Sequence, residues 1–258
     1  MKLIYPDNIS SITADEENAN YLAANLEDDH PKKVWKGTSR DAVVTLVASA
    51  GGAICIIATN ATSVTIVLSV GQSISWDTGI SWDTGIAWDS SGDDDTTETT
   101  LLSGDIDGVI WSEFAAARTA NFTATISLTA DAGEIIQAGV VTCGTLRTFV
   151  DPIRGIRDGL RDYSIVRELN NGAWYIRKRD VVRTFEFSIL EDRETDFYIF
   201  MLTTAKALGP SPIAWRILTK NITDSEWIVF CRFDDIMPQG LHEFNDFSQI
   251  DIRLLEVL

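Results

Sequence analysis

Short runs of apolar and β-branched residues, separated by polar turns, recur along the first half of the chain. Such runs predict strands at residues 42–48, 53–59, 63–70, 122–130 and 134–142. The fourth run alternates apolar and polar positions, which indicates a strand with one face buried. No long amphipathic helix pattern occurs before Arg147. The first half is therefore predicted to be an antiparallel β-sandwich or jelly roll.

The second half has strand patterns interrupted by one helix pattern. After an Asp-, Gly- and Arg-rich stretch (residues 151–159) interpreted as a loop, an Asn-Gly turn predicts a hairpin of residues 163–169 and 173–179. Residues 192–208 have helical apolar spacing and are followed by Gly209-Pro210, which predicts a helix. Further strands are predicted at residues 184–190, 213–218, 227–233 and 249–255. The chain is thus expected to be mainly β, with a second β-sandwich carrying one α-helix.

Charge divides the chain at the same place. The whole chain of 258 residues has a formal net charge of −17, of which residues 1–146 contribute −14 and residues 147–258 only −3. This asymmetry predicts two domains, 1–146 and 147–258, with different surroundings. A strongly acidic surface without a basic stripe repels phosphate backbones, so nucleic acid is not an expected partner.

A nearly threefold repeat, S-W-D-T-G-I, occupies the start of a predicted loop at residues 75–100. It places Trp76, Trp82 and Trp88 six residues apart, so in extended chain their rings share one face and the following Asp residues share the other. Three interpretations compete. The rings stack on a glycan, the carboxylates bind Ca²⁺, or the repeat is a local duplication packed against the sandwich or a partner subunit.

No pattern of catalytic residues occurs in the sequence. Zinc-protease, nucleophile-elbow and Walker motifs are missing, so no catalytic residue, metal site or cofactor is predicted, although a pair of glycosidase carboxylates stays open among so many acids. The three cysteines lie in apolar runs and are expected to be buried, reduced thiols. We expect no signal peptide and no membrane insertion, because no apolar run has the required length.

Arginines are concentrated in the second half. Four of them are candidate docking residues for a carboxylate-rich neighbour: Arg154, Arg157, Arg177 and Arg179. The competing interpretation is that these residues form the solvated faces of a nearly neutral domain.

The order of several short motifs resembles virion proteins of tailed phages that have discoidin-like (galactose-binding-like) jelly-roll domains. Residues 21–38 are similar to an N-L-x-D-x-x-P-x-x-x-W opening, and A-T-N-A-T-S-V-T at residues 58–65 is similar to a following strand but lacks its Gly-His. Trp76-Asp77 and Trp82-Asp83 match a W-D-x-G element. Residues 122–128 and 139–144 are loosely similar to the next two motifs.

The second half resembles the C-terminal part of the same phage proteins. A Tyr-Ser strand, a basic hairpin strand, F-x-F, P-x-x-W and a terminal I-x-L-x-E strand follow in order. They correspond to Tyr163-Ser164 and to residues 177–183, 185–187, 212–215 and 252–256.

The resemblance implies a non-enzymatic structural protein of a phage tail tip or baseplate, located in the virion after assembly in the host cytoplasm. It implies that Leu26, Pro31 and Trp35 are core or corner residues. The expected partners are the tail tube, the baseplate hub and neighbouring copies around the tail axis, with the second domain docking. The alternative is a carbohydrate-binding module for a host surface glycan, and an enzyme acting on host polysaccharide is a third hypothesis.

Overall fold

A computed structural model describes residues 1–70, 102–103, 108–152, 155–168, 174–192, 197–218, 227–234, 239–241 and 247–257. Two compact units are present. We call Ile4–Leu146 the N-terminal unit, and Met1–Leu3 together with Arg147–Leu258 the C-terminal unit.

Within the described residues, eleven strands begin in or enter the N-terminal unit. They are β1 Lys2–Asp7, β2 Ile9–Ala14, β3 Trp35–Lys36, β4 Asp41–Ala48, β5 Gly51–Ile57, β6 Ala61–Val70, β7 Leu102–Ser103, β8 Val109–Arg118, β9 Phe122–Ala130, β10 Gln137–Ala138 and β11 Val140–Thr148. One sheet has the order β2-β4-β9-β6-β7, and the other, entered by residues 4–7 of β1, has the order β1-β11-β5-β8. Strands β3 and β10 form a small separate pair.

Alternating side chains form the core between these two sheets. In β4 and β9 every second residue is buried, so the pairs Val44↔Ile126 and Leu46↔Ala124 face inward together. Phe114 and Phe122 close the core with an edge-to-face ring contact, their centroids 5.6 Å apart. This burial pattern makes the N-terminal unit a jelly-roll sandwich.

Trp35 anchors the segment with little regular structure that precedes β4. Its side chain is fully buried with Leu26, and its indole Nε1 donates to the Glu16 carbonyl oxygen at 3.2 Å. Pro31 is buried as well. The prediction that Leu26, Pro31 and Trp35 are core or corner residues is confirmed, because all three lie inside the unit.

In the part of the C-terminal unit that the structure describes, there are eight strands and one helix. They are β12 Arg157–Asp162, β13 Ile165–Glu168, β14 Trp174–Arg177, β15 Val181–Asp192, α1 Phe197–Leu208, β16 Ile213–Arg216, β17 Ile228–Phe233, β18 Gln239–Leu241 and β19 Phe247–Glu256. The main sheet has the order β12-β15-β19-β17-β16, and Lys2 and Leu3 of β1 pair with β16. Strand β18 pairs with β19, while β13 and β14 pair only with each other.

The inward face of the main sheet carries the aromatic and aliphatic side chains that alternation predicts. Phe185, Phe187 and Ile189 of β15 are buried, beside Ile252 and Leu254 of β19. Trp215 is fully buried in β16, and its ring meets that of Phe233 edge to face at 5.8 Å. In helix α1, Thr204 and Ala205 are buried. Within the described residues, no helix is long and apolar enough to cross a bilayer.

The predicted fold class is confirmed: the chain is mainly β, with a jelly-roll sandwich first and a second β-built unit carrying one helix. Two local predictions were wrong. Residues 134–142, expected to form one strand, contain β10 and the start of β11, which continues to Thr148; Asp131 to Ile136 instead forms a turn and irregular chain. The loop expected at residues 151–159 contains the start of β12, whose six residues pair with β15.

The three cysteines are buried and unpaired, as expected for thiols in apolar strands. Burial raises the pKa of the Cys55, Cys143 and Cys231 thiols well above its ordinary value, because the thiolate would lose its hydration. These thiols therefore stay protonated and act as small core residues.

Gly144 marks the tightest backbone approach in the N-terminal unit. A Cβ at this position would collide with the Pro6 carbonyl oxygen, which is backbone and cannot swing away. We expect Gly144→Ala to lower the free energy of unfolding by about 1–3 kcal/mol, measured by chemical denaturation. Ser10→Ala, on an exposed position of β2, is the control and is expected to change stability by less than about 0.5 kcal/mol. Equal stability of the two variants would contradict the close approach.

Candidate assembly interface

A long two-stranded ribbon extends from the edge of the C-terminal sheet. Strand β12 pairs with β15 from Arg157↔Glu186 to Asp162↔Val181, and the ribbon continues as the β13–β14 pair. Strand β19 pairs with β15 only from Thr184 onward. We define residues 160–183 as the arm. Among the described residues, its strands pair only with each other. Residues 160–168 form one side of the arm, and nine residues of extended chain span at most about 30 Å.

Exposed apolar side chains are concentrated on the arm. Six of the ten large apolar side chains exposed in the described part of the chain lie on it. They are Leu160, Val166, Trp174, Tyr175, Ile176 and Val181. Trp174 is 64% exposed and Ile176 is 60% exposed, values far from those of core residues of the same type. Such a concentration of exposed apolar surface is typical of a binding site.

The pairing register of β13 and β14 gives the arm two different faces. Residues directly opposite each other in an antiparallel pair point to the same side. Val166 is opposite Ile176, and Glu168 is opposite Trp174, so three apolar side chains and one carboxylate share the first face. We call this the apolar face.

The opposite side of the arm is cationic. Arg167 is opposite Tyr175, and Arg177 is opposite Ile165, which places two guanidinium groups and an aromatic ring together. Lys178 and Arg179 follow directly in the chain. Across residues 160–183 there are six basic and three acidic residues, so the arm is positive in a chain whose net charge is −17. We call this side the cationic face.

Ion pairs lie near the root of the arm. Arg183 Nη2 is 2.8 Å from Asp158 Oδ2, and Arg161 Nη1 is 3.1 Å from Asp234 Oδ1. The Arg183 guanidinium also lies 4.9 Å from the centre of the buried Phe185 ring. Arg167 and Arg177 have no such ion pair among the described residues. The distal guanidinium groups are therefore open to a partner, while those at the root hold the arm to its sheet.

The structure places the predicted docking arginines in different surroundings. Arg177 and Arg179 lie on the arm, where the Arg179 backbone N–H donates to Ser164 Oγ at 3.0 Å. Arg157 is outside the arm on β12, opposite Glu186. Arg154 lies outside the described residues.

The predicted glycan-binding tryptophans Trp76, Trp82 and Trp88 also lie outside the described residues. Within the described residues, no cluster of three or more His, Cys, Asp or Glu side chains is arranged to hold a metal ion.

Sequence reasoning missed the apolar face of the arm. Val166, Trp174 and Ile176 are ordinary strand residues by type, and their alternation predicts one buried face. The local sequence predicts a hairpin here, but it does not specify whether another sheet covers that hairpin. Register and exposure together were needed to separate this face from the core.

No family model matches this chain, and no curated protein sequence does either. Among solved structures, the chain is similar to chitosan-binding module 1 of a chitosanase/glucanase from Paenibacillus sp. IK-5, with 15% sequence identity, a TM-score of 0.34, and coverage of 54% of this chain and 94% of that one. It is also similar to CpGH89CBM32-6 of Clostridium perfringens, at 14% identity, a TM-score of 0.30, and coverage of 54% and 94%.

A third similar structure is reduced XRCC1 bound to the DNA polymerase beta catalytic domain. Its identity to this chain is 8%, its TM-score is 0.36, and the match covers 54% of this chain and 99% of that one. Because identities and TM-scores are all low, the description of the N-terminal unit as a jelly-roll sandwich rests on its own strand order and burial.

If the apolar face of the arm is an interface and not part of the core, its largest side chain, Trp174, should contribute little to the free energy of folding. We expect Trp174→Ser to change the free energy of global unfolding by less than about 0.5 kcal/mol. Phe185 lies on β15 and is fully buried, so Phe185→Ala should lower the free energy of unfolding by about 3–5 kcal/mol. Thermal and urea unfolding of both variants provide the comparison. A loss for Trp174→Ser as large as that for Phe185→Ala would show that Trp174 belongs to the core.

Proposed function

We propose that this chain is a non-enzymatic structural component of a larger assembly, held in it by the arm of the C-terminal unit. The sequence resemblance makes the assembly a tailed-phage tail tip or baseplate, with copies arranged around the tail axis. The tail tube and baseplate hub are the other proposed neighbours. In this arrangement the acidic N-terminal unit faces outward, and the protein belongs to the virion.

The observation that supports this proposal is the exposed apolar face of an isolated ribbon. A two-stranded hairpin is at best marginally stable in water, because neither face is covered. Burying three apolar side chains of this size contributes about 1.5–3 kcal/mol each. A partner surface that covers Val166, Trp174 and Ile176 therefore stabilises the arm as it binds, which couples docking to ordering.

The arm can be removed without touching the sheet that carries it. In the arm-shortened variant, an Asn-Gly turn replaces residues 164–179, so that β12 and β15 keep their own pairing. We expect this variant to unfold at nearly the wild-type temperature but to be missing from purified particles when it replaces the wild-type copy. Quantitative mass spectrometry of the particles measures its incorporation.

The matched control is Val150→Ser, which removes a similarly exposed apolar side chain, 54% exposed, away from the arm. It is expected to be incorporated at the wild-type level. Normal incorporation of the arm-shortened variant would refute the docking role of the arm.

A second candidate function, glycan recognition, is motivated by the tryptophan repeat of the N-terminal unit. Exposed Trp rings stack well on the apolar faces of sugars, and the six-residue spacing places three rings on one side of extended chain. We expect specific retention on a host surface polysaccharide, weakened at least about tenfold by Trp76→Ala or Trp82→Ala. Trp174→Ala on the arm is the control, expected to bind as the wild type does. No retention on any host polysaccharide would remove this candidate.

A further inference from the structure

We propose that the arm of one copy docks on the N-terminal unit of a second copy, at an acidic patch with an apolar centre. The inference rests on the proposed assembly function and names the partner of the arm. We define the acceptor patch by Tyr21, Leu22 and Ile135 with the carboxylates around them. The apolar face of the arm is thus assigned one partner, the acceptor patch of an identical chain.

The acceptor patch contains the only large apolar side chains that the described part of the N-terminal unit exposes. Tyr21 is 37%, Leu22 47% and Ile135 53% exposed. Their backbones lie on adjacent segments, because Lys36 N–H donates to the Tyr21 carbonyl oxygen at 3.3 Å and Lys36 pairs with Gln137. The three exposed apolar residues therefore lie on neighbouring segments of the chain.

Exposed carboxylates lie on the same segments as these apolar residues. Glu17, Glu27, Asp29 and Glu134 are all exposed in the segments that carry the patch. Three lysines lie on the same segments: Lys36 is 4.7 Å from the centre of the Tyr21 ring, Lys33 is paired with Asp28 at 2.6 Å, and Lys32 is exposed. Glu27 and Asp29 form no ion pair within the described residues. The patch therefore offers open negative charge beside apolar surface.

The arm has the complementary composition. It offers apolar side chains with unpaired cations, and the patch offers apolar side chains with unpaired carboxylates. Apolar centres surrounded by opposite charges are the pattern that gives both affinity and orientation at an interface. The apolar side chains of the arm and of the patch are all exposed.

Because the arm and the patch are different surfaces, copies associate head to tail. Such heterologous contacts build rings when the rotation closes and open chains when it does not. An arm-to-arm contact would instead be isologous and would stop at a dimer. The two arrangements give different results when defective copies are mixed, which makes the inference testable.

The first measurement is sedimentation velocity of the wild-type chain over a range of concentration and salt. We expect concentration-dependent association that weakens as salt rises from about 0.05 to 0.5 M, since screening shortens the reach of exposed charges. Trp174→Ser in the arm or Leu22→Ser in the patch should raise the dissociation constant at least about thirtyfold, as loss of a central apolar contact does. Val150→Ser is the control and should associate as the wild type does.

The second measurement mixes two defective copies. Trp174→Ser with Arg177→Glu inactivates only the arm, and Leu22→Ser with Asp29→Lys inactivates only the patch. Each double variant alone should be monomeric. Their equimolar mixture should form dimers and nothing larger, because one intact arm then meets one intact patch. Unchanged unfolding temperatures verify that both variants fold.

The possible outcomes distinguish failure of the head-to-tail contact from failure of the proposed function. A mixture that stays monomeric while wild-type copies associate would overturn the head-to-tail contact. A wild-type chain that stays monomeric at millimolar concentration, together with loss of the arm-shortened variant from particles, would also overturn it. In that case the arm docks on another protein of the assembly, and the proposed function stands. Normal incorporation of the arm-shortened variant would remove both.

Discussion

The need to cover apolar side chains on every strand pair governs this molecule. In the N-terminal unit two sheets cover each other, and in the C-terminal unit the main sheet buries Phe185, Phe187 and Ile252 on its inward face. The β13–β14 ribbon is the place where this need is not met within the chain. Its apolar face has no covering layer among the described residues, and a two-stranded ribbon has too few contacts to hold itself. The function proposed here follows from that one unmet requirement.

Charge is distributed unevenly between the first 146 residues and the arm. Most of the negative charge lies in the first 146 residues, while the arm is locally positive. Interactions among exposed charges steer association more than they stabilise a complex, so in the proposed assembly the cationic face sets orientation and the apolar face provides most of the affinity. The ion pairs of Arg161 and Arg183 at the root are partly exposed, and such pairs contribute little stability.

The sequence predicted those parts of the fold in which local pattern and tertiary burial agree. The strand Phe122–Ala130 matches its prediction residue for residue, because strict alternation meets a sheet with one buried face. Strand β8 escaped prediction, since Ile110, Trp111 and Ser112 are buried in succession and break the alternation. Strand β12 was interpreted as a loop because its Arg, Asp and Gly residues have low strand propensity. Its pairing with β15 overrides that propensity.

The candidate site was only half predictable for a related reason. The Asn-Gly turn located the hairpin, and residue type located Arg177 and Arg179. The apolar face depends on which residues of β13 and β14 are opposite each other, and on whether another layer covers them. Both are properties of the whole fold and cannot be predicted from the local sequence.

Hydrogen exchange of the arm amides, read out by mass spectrometry, tests the central claim most directly. In the isolated chain at low concentration, peptides covering residues 165–177 should exchange quickly, while those of β9 and β15 stay protected. In the assembled state the arm amides should become protected by at least about a hundredfold, with β9 unchanged. Equal exchange of the arm in both states would show that no partner covers it and would contradict the account.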